Sequence, residues 1–447
     1  MSDLDLRASV PGCTSARITD FGGRPCVHAV VDPAADDGAL GPEDGLTLAA
    51  AADGARERRI PLVCCLASSG AAPEAGIAAL DGWGRAARSI VRCSGTIPIV
   101  FCVHGPTVAG PALLLGLADH VVMVDDTYAY VSGPRMVERF TGVSIDGAAL
   151  GGTGVHARTS GVAGFTAADV DAAHVVVTDL LTVLPSHADE LAPRQATDDT
   201  PDRPTPELAE VIPDTPTGSY DVRTVLRALV DDDWLLESRA RWAENLVTAF
   251  ATIDGWPVGL VANQPCALAG TLDIPASQKG ARFVSFCDAF NLPLITVVDT
   301  PGFYPGKDLE WRGMIRHGAQ MAFAYARATV PRWNVTQRQS YDGGYIVMDS
   351  KFLGNDLALA WPSAEIAVMG AKGAVEILHR RSDADERARR EAEYEDRLLN
   401  PYVAAERGSV DAVIDPTQTR QVLAAALAML ATKREPLRSK THDNTPL

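Results

Sequence analysis

Two short loops of small residues hold the positions where this chain could do chemistry. Val108–Ala112 reads VAGPA and Tyr341–Tyr345 reads YDGGY. Each follows a strand-like apolar run and precedes a segment able to start a helix. Small residues there let backbone amides come close to a ligand, and a helix N-terminus adds partial positive charge. Such a loop suits stabilisation of a developing oxyanion. Removing one donor from a site of that kind costs on the order of a hundredfold or more in rate, so backbone amides alone carry much of a mechanism. A lone pair of glycines more often marks a tight turn; what lifts these two loops above that reading is that they belong to a repeat.

The repeat sits about 232 residues apart. Gly38 in DGALG recurs as Gly270 in AGTLD, and Pro61 and Gly70 recur as Pro293 and Gly302. Pro98 and Gly110 recur as Pro331 and Gly343, so the two small-residue loops occupy equivalent places. Five collinear landmarks joined by similar apolar runs predict one fold written twice. Runs such as PLVCCL, IPIVFCV, HVVMV and PLITVVD alternate with segments of helical spacing, including GIAALDGWGRAARSIVR and KGARFVSFCDAFN. That alternation predicts an α/β fold of βαβ units, whose buried strands are apolar throughout and whose ligands lie at the C-terminal ends of the strands.

With 447 residues and 47% hydrophobic content, the chain predicts two to three domains with substantial cores. Residues 185–219 carry seven prolines in an acidic, Thr-rich stretch and read as a linker between an N-terminal domain, 1–184, and a C-terminal domain, 220–447. No run of eighteen apolar residues predicts a membrane span, and MSDLDLRASVPG lacks the pattern of a secretory signal, so a cytoplasmic protein is expected. A formal charge of -17 argues against nucleic acid as a partner. The eight cysteines show no CxxC pair or nearby His cluster; buried thiols and no metal site are expected. SDADERARREAEYEDRLLN reads as a solvated charged helix or an oligomer contact.

The stretch from Leu246 to His379 resembles the carboxyltransferase β subunits of biotin-dependent acyl-CoA carboxylases, the family of propionyl-CoA and acetyl-CoA carboxylases. It does so through VANQP at 263, AGTLDIPASQKGARFVSFCDAFNLPL, VDTPGFYPG, IRHGAQMAFAYARATVP and SKFLGNDLALAWPSAEIAVMGAKGAVEI; NPYVAAERG and HDNTPL extend the likeness to the end. The resemblance is dense after Asp221 and looser before it. It implies two tandem crotonase-like domains, with acyl-CoA held mainly by the N-terminal one and carboxybiotin mainly by the C-terminal one of a partner subunit. It also implies a separate biotinylated α subunit or carrier and a hexamer built as a trimer of dimers.

Carried over by position, Gly343 and Gly344 are the amide pair facing biotin, and Ala109 and Gly110 the pair facing the thioester enolate. The acyl thioester is expected at Gly38, Ala39 and Leu40, at Ser69, Gly70 and Ala71, and at Tyr345 and Ile346. Gly302 and Phe303 are expected on the biotin side, with Lys279 and Arg282 reaching CoA phosphates or the carrier. In the mechanism so implied, carboxybiotin releases carbon dioxide, its ureido nitrogen takes the α proton and the enolate captures the carbon dioxide; no protein base is needed. That agrees with the absence of a His–Ser or paired-carboxylate constellation in the chain.

The N-terminal half departs from the pattern. Where the family commonly reads DSGGAR, this chain has Ala67, Ser68, Ser69, Gly70, Ala71 and Ala72; Ala109 replaces a glycine, and Pro111 has no N–H. Ile346 stands where an acidic residue is common in propionyl-preferring members and implies a different or broader acyl preference. Glu365 reads as a residue that orients a loop. The departures leave room for a decarboxylase, for transfer to an unusual malonyl-type or polyketide-like substrate, or for a non-catalytic partner subunit.

Overall fold

The structure is a computed structural model and describes residues 11–213, 215, 218–437 and 444. Its contacts divide the chain into two units. The first comprises Met1–Pro193 with Ser238–Trp242 and Ala289–Asn291; the second comprises Arg194–Glu237, Ala243–Asp288 and Leu292–Leu447.

Each unit opens with a two-stranded antiparallel hairpin and continues as a parallel sheet. In the first, Thr14–Phe21 pairs with Arg24–Val31 across Gly22 and Gly23, whose φ values of 59° and 83° give the turn the positive φ at both central residues that the twist of a tight hairpin favours. In the second, Leu246–Ile253 pairs with Trp256–Asn263 across Asp254 and Gly255, at φ 50° and 72°. The order then runs Arg24–Val31, Leu62–Ser68, Ile99–Val108, His120–Val124 and Phe165–Ala167 in the first unit. It runs Trp256–Asn263, Leu294–Thr300, Arg332–Tyr341, Leu357–Ala360 and Ala412–Val413 in the second. All seven residues of Leu62–Ser68 and all seven of Leu294–Thr300 are buried, which is why their sequences are mostly apolar without a polar-apolar alternation. The expected α/β class and the duplication are both present.

Alternate residues of the first sheet point to opposite sides. Val27, Ala29, Val31, Cys64, Leu66, Phe101 and Val103 pack in one core with the helices Pro42–Arg58 and Ile77–Cys93. The other face meets the helix Val170–Val183. In the second unit Val258, Leu260, Ile295, Val297, Trp333, Val335 and Trp361 form the core together with Val225, Leu229, Leu423 and Leu427.

The Pro-rich stretch is not a free linker. Its residues 194–213 belong to the second unit: Gln195 N–H donates to Gly255 O at 2.7 Å, Thr205 N–H to Thr417 O at 3.2 Å, and Leu208 is 1% exposed in the core. Arg420, itself fully buried, fixes this stretch by donating to Thr200 O at 3.2 Å while pairing with Asp231 at 2.7 Å. Backbone acceptors satisfied by a buried arginine leave no mark in a composition that otherwise reads as unstructured. Among the described residues no helix is long and apolar enough to cross a membrane.

Candidate functional site

The same backbone frame is built in both units where a buried strand leaves the sheet. Leu62–Ser68 runs beside Ile99–Val108 with a break in register between Leu66 and Ser68, and Leu294–Thr300 beside Arg332–Tyr341 with a break between Val298 and Thr300. A hydroxyl closes each turn. Ser68 Oγ accepts from Gly70 N–H at 3.2 Å, and Thr300 Oγ1 accepts from Gly302 N–H at 3.2 Å.

Beyond the turn, Leu40 lies against Ala71 and Leu272 against Phe303, each in parallel. Ala72 N–H donates to Leu40 O at 2.9 Å and Tyr304 N–H to Leu272 O at 2.9 Å. Successive amides of an extended segment face opposite ways, so the Ala71 and Phe303 amides turn away from these partners toward the small-residue loops. Gly38 and Gly270, at φ 68° and 71°, let this approach happen: a Cβ would stand 2.1 Å from Ala67 O at the first and 2.5 Å from Asp299 O at the second.

The loops complete the frame differently. In the first unit Ala109 is held at φ 59° and its N–H donates to Tyr130 O at 2.9 Å, so the amide expected to face a ligand is already bonded within the protein. Gly110 starts the short helix Gly110–Leu117, in the turn whose amides have no intrahelical acceptor, and Pro111 contributes none. Beside Gly110 lies a donor that the sequence did not single out. Trp83 Nε1 is buried, has no hydrogen-bond partner among the described residues, and stands 3.1 Å from where a Gly110 Cβ would be.

In the second unit Asp342, at φ 49°, occupies the place of Ala109 and starts the helix Asp342–Val347; both Gly343 and Gly344 lie in its first turn and carry an N–H. The Phe303 ring covers Gly343 so closely that a Cβ would come within 2.9 Å of it, and a Cβ on Gly344 would come within 2.8 Å of Gly302 Cα.

Two cavities flank this helix. One of about 500 Å³ opens beside Gly343 and is walled by Tyr345, Ile346, Ile366, Val368, Tyr394 and Leu398, with Arg407 and Ser409 also on its lining. The other, about 380 Å³, lies on the side of Phe303, Met314, Ile315 and Val347. The phenol of Tyr341 donates to the Glu365 carboxylate. Burial and that neighbour push its pKa up, so it stays protonated. Glu365 therefore orients the loop, as expected.

Gly302, Phe303, Gly343, Gly344, Tyr345 and Ile346 thus lie at one place in the second unit, and Gly38, Ala39, Leu40, Ser69, Gly70, Ala71, Ala109 and Gly110 around the equivalent frame in the first. Lys279 does not join them. It is 1% exposed in the helix Ile274–Ala289 and donates to Ala243 O at 3.3 Å, so it is no surface cation; Arg282, on the same helix, is exposed. The charged helix Ala384–Leu398 is more than a solvated projection, since Tyr394 and Leu398 wall the larger cavity. Those two apolar residues in a run of charges were the available signal.

Residues 18–445 match the carboxyl transferase domain family. The chain is 45% identical over 430 residues to the propionyl-CoA carboxylase beta chain of Saccharopolyspora erythraea, covering 92% of this chain and 79% of that protein. It is 43% identical over 407 residues to the biotin-dependent acetyl-/propionyl-coenzyme A carboxylase beta5 subunit of Mycobacterium tuberculosis, covering 87% and 74%. Among solved structures it is similar to the hexameric transcarboxylase 12S with methylmalonyl-coenzyme A and methylmalonic acid bound, at a TM-score of 0.96 and 40% identity over 98% of this chain and 86% of that one.

Proposed function

The chain belongs to the carboxyl transferase family, and from that premise we propose that it is the carboxyltransferase subunit of a biotin-dependent acyl-CoA carboxylase, with two crotonase-like domains acting on opposite ends of one transfer. The observation that carries this reading is the doubled amide frame. Ala71 and Gly110 carry N–H groups in one frame and Phe303, Gly343 and Gly344 in the other, which supports a reading in which each frame holds a carbonyl oxygen that gains charge.

At the first frame the thioester oxygen takes hydrogen bonds from Gly110 and Ala71, with the Trp83 indole N–H supplying the donor that Pro111 lacks. Charge moving onto that oxygen when the α proton leaves is met by fixed dipoles that need no reorganisation. At the second frame a neutral fused-ring urea fits the residues present. Unsubstituted first-turn amides want an acceptor, and the cavity of about 500 Å³ beside them has an apolar wall. When bound, carboxybiotin supplies carbon dioxide and the base for the α proton. Gly343 and Gly344 hold the urea oxygen, the Phe303 ring fixes the loop, and the apolar wall excludes water that would divert carbon dioxide. Ile346 presents hydrocarbon at the cavity mouth and favours an uncharged acyl end.

The partners that follow are a biotinylated α subunit or carrier and further copies of this chain, in a hexamer of three dimers. Eight free cysteines, seven of them buried, support a reducing, cytoplasmic location. The test is mass-spectrometric detection of products when the purified protein is incubated with malonyl-CoA or methylmalonyl-CoA, with and without a biotinylated carrier and avidin. Carrier-dependent exchange blocked by avidin is expected. Loss of carbon dioxide that continues without carrier would replace this reading with a decarboxylase, and no turnover in any arm would overturn both.

A further inference from the structure

The first unit holds a cluster that the transfer does not use. His28 on the strand Arg24–Val31, Cys65 on Leu62–Ser68 and His174 on the helix Val170–Val183 bring one donor atom each to within 4.8 Å of one another. They meet on the face of the sheet that this helix covers, opposite to the core lined by Val27, Ala29, Cys64 and Leu66. His28 Nε2 lies 3.3 Å from Cys65 Sγ. The Phe21 ring packs edge-on against both imidazoles, its centroid 5.5 Å from each, and so limits their rotation.

We propose that His28, Cys65 and His174 form a binding site for a borderline-soft transition-metal ion, Zn²⁺ in the first place, with three protein ligands and one position left open. The donor set decides the class of ion: two imidazole nitrogens and a thiolate select Zn²⁺, Co²⁺ or copper over Mg²⁺ and Ca²⁺. The geometry is close to what such an ion needs. Tetrahedral bonds of about 2.0–2.3 Å place neighbouring ligand atoms about 3.3–3.6 Å apart. One pair already meets that spacing, and the others, within 4.8 Å, need a contraction of about 1.5 Å at most. Binding is a simple exchange, in which the Cys65 thiol proton goes to solvent and the sulfur and the two ring nitrogens donate lone pairs to the ion.

Two further features fit. Cys102 lies directly across from Cys65 on the neighbouring strand, so a second thiol faces the same side of the sheet beside the site. His174 is only partly buried, which gives the ion a path in from the helix side, whereas His28 and Cys65 are buried. The three ligands are separated by 37 and 109 residues in the chain and sit on three elements, so an ion would staple the helix to two strands of the sheet. Spacing alone does not reveal such a site, which is why the sequence predicted none.

The experiment uses the full chain with the exposed Cys266 changed to Ser, titrated with Co²⁺ and, in competition, Zn²⁺. One Co²⁺ per chain, a thiolate-to-metal charge-transfer band, displacement by Zn²⁺ and a raised melting temperature are expected. Affinity should fall at least on the order of 100-fold in Cys65→Ser and in His174→Ala. His174 is partly exposed, so that variant keeps the test readable if the Cys65 substitution impairs folding. Co²⁺ binding of unchanged affinity in a folded His174→Ala variant, a spectrum without the charge-transfer band, or no binding by the parent chain would overturn the proposal.

Discussion

The two units share a backbone plan and fill it with different chemistry. Ser68 and Thr300 close equivalent turns with the same bond to Gly70 and Gly302, and Gly38 and Gly270 permit the same close approach. The second unit then offers two consecutive first-turn amides, whereas the first offers Gly110, loses an amide at Pro111 and sets the unpartnered Trp83 indole beside the gap. Their interiors differ too. The second buries arginines in ion pairs, Arg420 with Asp231 and Arg332 with Asp349, while the first carries six of the eight cysteines. A duplicated frame thus keeps what only the backbone can supply and lets each copy diverge where a side chain can do the job.

Breaking the buried pair of the second unit should give the largest effect. Arg420→Met leaves Asp231 charged and 2% exposed and frees the segment around Thr200. A loss of about 3–5 kcal/mol is expected in urea unfolding. A loss below about 1 kcal/mol would mean that residues 194–213 are not anchored through this arginine. A smaller effect belongs to the first unit. Trp83→Phe keeps an aromatic ring, though a smaller one, and deletes the indole N–H; it should slow α-proton exchange of the acyl thioester about tenfold with little change in KM. An unchanged exchange rate would leave Pro111 uncompensated and the first frame with its two backbone donors alone. Smallest is Cys93→Ala, which removes a buried thiol that donates to Ala52 O at 3.3 Å. About 1 kcal/mol should be lost in the same unfolding measurement, and a loss as large as that of Arg420→Met would mean that the two interiors do not differ in this way.

The frame was legible because turns and close approaches demand glycine at fixed places, so Gly38, Gly70, Gly270 and Gly302 recur at one spacing. What demands no particular residue type stayed hidden. Lys279 was expected to reach CoA phosphates or the carrier because helical spacing does not say which face is covered, and its ammonium instead donates to a carbonyl in the interior. Residues 194–213 read as a linker because their order comes from Gly255, Thr417 and Arg420 far along the chain. Ala109 was expected to donate to a ligand, but a strand partner, Tyr130, takes its amide.

The most direct test of the account compares Gly343→Pro with Gly343→Ala in carrier-dependent carboxyl exchange. Both substitutions bring a Cβ against the Phe303 ring, at 2.9 Å before relaxation, but only proline removes the N–H. The account predicts that the proline variant is at least on the order of a hundredfold slower than the alanine variant, at similar KM for the acyl-CoA. Equal rates in the two would show that the Gly343 amide does not hold the developing charge.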